Sequence, residues 1–237
     1  MNTLILFVKN PQPGTVKTRL TPWLTPEEAA ALYRAFILDT LVLSDRPGSF
    51  RRMIAFAPSE GLAALKTLIT TPDLVFFPQT GATLGDRMRA AIENAFADGA
   101  KRVAVIGSDS PILPPVYLTD AFDALLQKDI VLGPATDGGY YLIGVAQNNR
   151  TVEQLPNLFA DIPWSTNAVY DSTVSALQKK DLSYAALPVW TDVDEPADIL
   201  RLRDQITALR RSGESALGVH TERLLQTLSD RLEAPNG

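Results

Sequence analysis

Thr3–Lys9, "TLILFVK", runs straight into Asn10–Leu20, "NPQPGTVKTRL". The first stretch is apolar up to its last residue, the pattern of a strand covered on both faces. From Lys9 to Leu20 the chain then carries two prolines, one glycine, two threonines and three cations. A plain connection needs turn residues, but it has no need of converging positive charge. A buried strand that empties into such a loop reads either as the opening of an α/β fold whose ligand sits beyond the strand ends or as a solvated proline-rich connection.

The same alternation continues downstream. Apolar runs predict strands at Arg52–Ala57, Leu74–Pro78, Arg102–Ser108, Asp129–Ala135 and Tyr140–Val145, with a late one at Ser183–Trp190. Helices are expected between them. "TPEE" sets Thr25 as N-cap, Pro26 in the first turn and Glu28 three residues on, a capping box opening a helix to about Leu43. Others are expected over Ser59–Ile69, Gly85–Ala97, Pro115–Gln127, Thr166–Lys179 and Pro196–Leu209. Strand–helix alternation predicts a mostly parallel central sheet flanked by helices and joined by right-handed crossovers. Residues 1–210 read as one such domain. Residues 211–237 read as an amphipathic helical tail packed back on it and ending in "EAPNG".

Composition narrows the chemistry. The chain has 237 residues, a formal net charge of −5, no cysteine and a single histidine, His220, in the tail. A negative global field argues against a nucleic-acid or anionic-membrane partner. No run of about 18 apolar residues offers a membrane span, and a cysteine-free chain without a signal-like start fits the cytoplasm. Thiolate nucleophiles and zinc–sulfur sites are excluded, and Ser–His–Asp hydrolysis is disfavoured. What remains is carboxylate-bound hard metal, with lysine and arginine for anions.

Four stretches carry that chemistry. In the first loop Gly14 lets the backbone approach a ligand, while Lys9, Lys17 and Arg19 can converge on negative oxygens. The loop fits neither the P-loop nor the G-x-G-x-x-G pattern. "VIGSDSP" places Asp109 directly after an apolar strand, where it can coordinate a divalent cation or cap the turn. "GPATDGGYYLIG" puts Asp137 before two glycines, a hairpin-like turn or a second acidic site. "TDVDEPADI" holds Asp192 and Asp194 on one side of an extended segment, ahead of a helix they could cap. Asp109 and Asp194 both flank predicted strand ends on one rim. Converging there beside Lys17 and Arg19, they would make a site for a metal–polyphosphate complex.

As an ordered set, "FVKNPQPGTVKTRL", "LGDRM", "GSDSP", "GPATDGGYYLIG", "WST" and "DVDEPADI" span residues 3–200. That set resembles the bacterial glycosyltransferase A-like (GT-A) nucleotide-diphospho-sugar transferases of the radical-SAM/selenodomain-associated type. It is more distantly similar to 2-phospho-L-lactate and molybdenum-cofactor guanylyltransferases. The resemblance implies a Rossmann-like GT-A sandwich. It implies that the first loop embraces the nucleotide through Lys9, Pro13, Gly14, Lys17 and Arg19, with Ser108 beside it. It assigns Gln79 and Gly81 to the base or ribose, and Asp109 and Asp194 to Mg²⁺ or Mn²⁺. Asp137, Gly138 and Gly139 would face the acceptor, with Trp164 as a further acceptor-side residue or a core residue. Lys17, Arg19 and Asp137 are the expected catalytic groups. "GSDSP" lacks the D-x-D of many glycosyltransferases, so the donor stays open. Glycosyl transfer from a nucleotide sugar leads. Nucleotidyl transfer from a triphosphate to an anionic small molecule, with release of pyrophosphate, is the alternative. A non-catalytic nucleotide-binding protein stands third.

Overall fold

The structure, a computed structural model, describes residues 1–45 and 50–228; the predicted "EAPNG" end lies outside the described residues. Seven strands form one sheet: β1 (Asn2–Lys9), β2 (Arg51–Ala57), β3 (Val75–Pro78), β4 (Arg102–Ile106), β5 (Ile130–Pro134), β6 (Tyr140–Ala146) and β7 (Tyr184–Ala186). Their order is β3-β2-β1-β4-β6-β5-β7. β1 pairs in parallel with β2 and β4, and β5 with β7, while β6 runs antiparallel to both β4 and β5. The expected mostly parallel sheet flanked by helices is what the chain forms.

The apolar run of β1 splits by parity. Leu4, Leu6 and Val8 face one layer with α1 (Pro26–Leu43), α4 (Pro115–Ala124), α7 (Pro196–Arg211) and α8 (Val219–Thr227). Ile5 faces the other, with α3 (Leu84–Ala97), α5 (Asn149–Leu158) and α6 (Val169–Lys179). Alternation along a strand buried on both faces thus builds a helix–sheet–helix sandwich. The short α2 (Leu62–Leu68) packs through Leu65 on the first side. No helix among the described residues is long and apolar enough to cross a membrane.

Several expected boundaries move. α5 was not expected, because Pro156 interrupts a polar run; Asn148 and Thr151 nevertheless form a capping box that starts the helix. α6 begins at Val169 rather than Thr166, after Ser165 turns the chain at φ 65°. The late strand shortens to three residues, with Trp190 keeping only an isolated bridge to Ala135. α7 continues to Arg211.

After α7, α8 folds onto α1. Gly218 stands at its N-cap with φ 71°, and a Cβ there would lie 2.7 Å from Ile112. Glycine has no side chain to cap the helix, so α1 provides the cap. The buried Asp39 carboxylate accepts from the backbone N–H of His220 (2.9 Å) and Thr221 (2.8 Å). His220 is half-buried there, at the packing surface of the helix.

In the sheet order β1 is flanked by β2 and β4, so the crossovers leave it in opposite directions. A crevice opens at that switch point, beyond the carboxyl ends of the two strands.

Candidate functional site

The β1–α1 loop is pinned from beneath. Val16, Leu20 and Leu24 are buried, each contributing about 1.5–3 kcal/mol, which offsets the entropy of ordering the loop. Asn10 donates its backbone N–H to Ala57 (2.7 Å), tying the loop to the end of β2. Between these anchors Lys17 adopts left-handed backbone (φ 49°, ψ 37°) and opens a single 3-10 turn, Thr18–Leu20. That conformation is costly for a residue with a Cβ, and it sends the side chain inward.

The Lys17 ammonium ends between two carboxylates. Its Nζ lies 2.5 Å from Asp109 Oδ1 and 2.9 Å from Asp194 Oδ1, and it donates to the Val193 carbonyl at 2.6 Å. The ring of Phe36 lies beneath it, 5.5 Å to the centroid. The Lys17 side chain is 4% exposed, whereas those of Asp109 and Asp194 are 41% and 43% exposed. Burial alone would lower the lysine's pKa, but the charges of Asp109 and Asp194 outweigh it and hold the ammonium above its ordinary range. Asp192 stands beside them, half-buried on the cleft wall, and accepts from the Ser110 hydroxyl. Burial, then the charge of Asp109, push its carboxyl up to about 7.

A second network fixes the strand ends. The Tyr33 hydroxyl, on α1, accepts from the Lys9 backbone N–H (3.0 Å) and shares a hydrogen bond with Ser108 Oγ (2.7 Å). Burial, then the charge of Asp109, push the phenol up to about 12, so it remains a neutral donor. The carboxyl ends of β1 and β4 are thereby joined just below Asp109.

Lys9, Lys17, Tyr33, Asp109, Asp192 and Asp194 line one wall of a cleft of about 790 Å³. The opposite wall comes from the β5–β6 hairpin, the Trp164–Asn167 segment and the first turn of α3. In the hairpin Asp137 Oδ1 accepts from the Gly139 N–H (2.8 Å). Gly138 sits at φ 88° against the Asn167 backbone, where a Cβ would come within 2.1 Å of the carbonyl oxygen. Trp164 stacks over Gly85 and meets Tyr140 and Phe159 edge-on or tilted. Arg87, on α3, also lines the cleft and donates to the Gly81 carbonyl (3.2 Å).

Residues 41–166, just over half of the chain, match the family described as "Uncharacterized protein conserved in bacteria (DUF2064)". The chain belongs to this family. Across its whole length the DUF2064 chain is similar to a solved structure from Desulfovibrio desulfuricans G20, described as a candidate nucleotide-diphospho-sugar transferase. Identity is 34%, covering 98% of this chain and 96% of that one, with a TM-score of 0.84. Two curated relatives are 2-phospho-L-lactate guanylyltransferases. The one from Natrialba magadii is 26% identical, covering 79% of this chain and 78% of its own. The one from Halorubrum lacusprofundi is 28% identical, covering 78% of each. The expected family resemblance and the transferase class agree with these relatives, none of which carries the radical-SAM or selenodomain label.

In the DUF2064 chain the cleft brings together Lys9, Lys17, Arg19, Gln79, Asp109, Asp137, Gly139, Trp164 and Asp194. Pro13 and Gly14 sit exposed on the loop, off the cleft wall. Ser108 is buried behind the wall in the Tyr33 network. Gly81 packs against the start of α3, and Gly138 against Asn167, so neither faces the cleft. Gln79 turns its amide nitrogen back to the Ala55 carbonyl (2.9 Å), which ties it to the end of β2. Sequence reasoning passed over Arg87 and Tyr33. Arg87 lies inside the quoted "LGDRM", and its place four residues beyond the Thr83 N-cap was the available signal. Tyr33 gave no signal, since its spacing on α1 reads as core.

The two exposed carboxylates fit a hard divalent cation. Their oxygens already converge within 2.5 and 2.9 Å of one point, that of the Lys17 nitrogen, and carboxylate oxygens suit Mg²⁺ or Mn²⁺. Among the described residues no group of three or more His, Cys, Asp or Glu side chains is arranged to hold a metal. A cation held by this pair would need further oxygens from outside the protein.

Proposed function

We propose that this chain is a divalent-metal-dependent nucleotidyltransferase that joins a nucleoside triphosphate to a small anionic acceptor. The observation that carries the reading is the meeting of Asp109 and Asp194 at one cation position, in a cleft also lined by Lys9, Arg19 and Arg87. An acceptor oxygen attacks the α-phosphorus, the bond to the bridging oxygen of the β-phosphate breaks, and pyrophosphate leaves with the electron pair. A phosphate or carboxylate acceptor is already anionic, so no general base is needed. When bound, Mg²⁺ or Mn²⁺ on Asp109 and Asp194 supplies Lewis-acid neutralisation of the triphosphate oxygens.

The chain's own groups position and neutralise. Lys9 meets the phosphates from the end of β1, Arg19 from the β1–α1 loop and Arg87 from α3. Tyr33 and Ser108 hold the strand ends that carry Lys9 and Asp109. Asp137, anchored by its own turn, sets the acceptor wall with Gly139 and Trp164. Catalysis of this kind rests on positioning and charge stabilisation. The guanylyltransferase relatives favour this chemistry over the glycosyl transfer expected first, and they point to GTP and a phosphorylated hydroxy acid as the first pair to try. Such an enzyme would draw on the cytoplasmic nucleotide pool.

Glycosyl transfer from a nucleotide sugar is the second reading, favoured by the description of the Desulfovibrio structure. The test is pyrophosphate release from each of the four triphosphates with Mg²⁺ or Mn²⁺, in the presence of 2-phospho-L-lactate and related anionic acceptors. Metal- and acceptor-dependent release from one triphosphate is expected. Release of nucleoside diphosphate from a nucleotide sugar would instead select the second reading. Nucleotide binding without turnover of either donor class would leave the non-catalytic alternative.

A further inference from the structure

We infer that Lys17 itself holds the cation position between Asp109 and Asp194, and yields it to a divalent metal only when a polyphosphate is present to take the ammonium. The polyphosphate half of this rests on the function proposed above.

A lysine ammonium has three N–H donors and no acceptor. All three are committed: to Asp109 Oδ1 at 2.5 Å, Asp194 Oδ1 at 2.9 Å and the Val193 carbonyl at 2.6 Å. None is left for a phosphate, so the pose cannot also be the phosphate clamp expected of this loop. The pose is built rather than incidental. The left-handed backbone of Lys17 aims the side chain inward, Val16 and Leu20 pin that backbone, and Phe36 floors the ammonium.

Metal and ammonium therefore want the same oxygens. Two cations a few ångströms apart repel strongly where water is scarce, so only one can hold the point between the carboxylates. A metal entering alone would gain two carboxylates but leave a buried ammonium with only the Val193 carbonyl and no counter-charge, a costly exchange. A polyphosphate changes the balance. Its oxygens give the displaced ammonium new acceptors, and the flexible four-carbon stem of lysine allows that move without shifting the backbone. The carboxylates stay reachable from the cleft, at 41% and 43% exposed. Metal and polyphosphate should then bind with positive coupling, each raising the affinity of the other. One lysine would serve in turn as resting counter-ion and as phosphate ligand, and the site would not load metal by itself.

The experiment titrates Mn²⁺ into the EDTA-treated full chain and follows free Mn²⁺ by electron paramagnetic resonance. Wild type, Lys17→Met and Asp109→Asn are compared, each with and without a non-transferable triphosphate analogue. Without nucleotide, Lys17→Met should bind Mn²⁺ about tenfold or more tightly than wild type. The analogue should tighten Mn²⁺ binding to wild type much more than to Lys17→Met. Asp109→Asn should bind weakly throughout. Equal Mn²⁺ affinity in wild type and Lys17→Met would overturn the inference. Should Lys17→Met unfold without metal, its melting temperature is the second readout: Mn²⁺ must raise it more than it raises that of wild type, and failure to do so also overturns the inference. The Mn²⁺-only arm needs no nucleotide. A gain in Lys17→Met with no nucleotide effect in any variant would keep the competition and overturn the nucleotide reading. Triphosphate turnover with unchanged Mn²⁺ affinity in Lys17→Met would overturn the competition alone.

Discussion

Lys17 and Asp39 both place a buried charge against partners far along the chain. Lys17 reaches 176 and 177 residues to Val193 and Asp194, and Asp39 reaches 181 and 182 residues to His220 and Thr221. Both tie the C-terminal part of the protein to the β1–α1 unit. Their partners differ in kind. Lys17 holds two carboxylates whose other sides open into the cleft, so another cation can compete for them. Asp39 holds backbone N–H groups of the first turn of α8, which are closed in by packing and face no competitor. An exchangeable contact of this sort can serve binding and chemistry, whereas a closed one can serve only the fold. Exposure of the partner, more than the charge of the group, separates the two roles.

The sharpest test of that contrast is Asp109→Asn. Turnover should fall by about 10²–10³-fold, the scale of removing one preorganised electrostatic group, while the melting temperature stays near that of wild type. Steady-state kinetics beside a thermal melt checks this, and a matching loss of fold would erase the contrast. Next in size is Asp39→Ala, expected to cost about 1–3 kcal/mol by stranding two buried donors. In a chain of this length each kcal/mol corresponds to about 2–4 °C in Tm, and activity per folded molecule should hold. Urea melts and active-site titration read the two separately.

Gly218→Ala should cost about 1–2 kcal/mol, because alanine resists positive φ and its Cβ would press within 2.7 Å of Ile112. An unchanged melt would mean that α8 shifts freely and that the Asp39 cap is not rigid. The smallest expected effect is a pH slope. Burial raises the Asp39 pKa, opposed by hydrogen bonds from Thr221 and His220. The folded chain then holds that proton more tightly than the unfolded chain does. Its contribution to stability therefore falls as pH rises from about 4 through the raised value, and levels off above it. Urea melts across that range should show the decline in wild type and lose it in Asp39→Asn. Identical slopes in the two would remove the closed, desolvated character assigned to Asp39.

Much of the fold was legible because a strand buried on both faces writes a continuous apolar run. β1 to β4 begin within one residue of expectation for that reason, although β4 closes two residues early. α5 escaped because its helix is carried by a local Asn148–Thr151 cap against the signal of Pro156. The reversed direction of β6 could not be read from its own residues, since an apolar run looks the same in either direction. The site was legible as an inventory: Lys17, Arg19, Asp109, Asp137 and Asp194 all line the cleft. Gly81 and Gly138 were read as ligand-facing, yet their backbones are shaped by close approach to Asp86 and Asn167. Tyr33 was invisible because a buried tyrosine in a helix gives no sign of where its hydroxyl will reach.

The sequence by itself determined the types of element, the two-faced core and the stock of cations and carboxylates available for chemistry. Those follow from periodicity and composition, which are set by residues within a few positions of one another. Only the tertiary structure decided which charges meet. It put the Lys17 ammonium, rather than open solvent, between Asp109 and Asp194, and it made Asp39 the cap of a helix that begins about 180 residues later. Electrostatic and hydrogen-bonding partners act over a few ångströms of space. Strand order and helix packing decide what lies within that distance, and no local pattern in the chain carries that information.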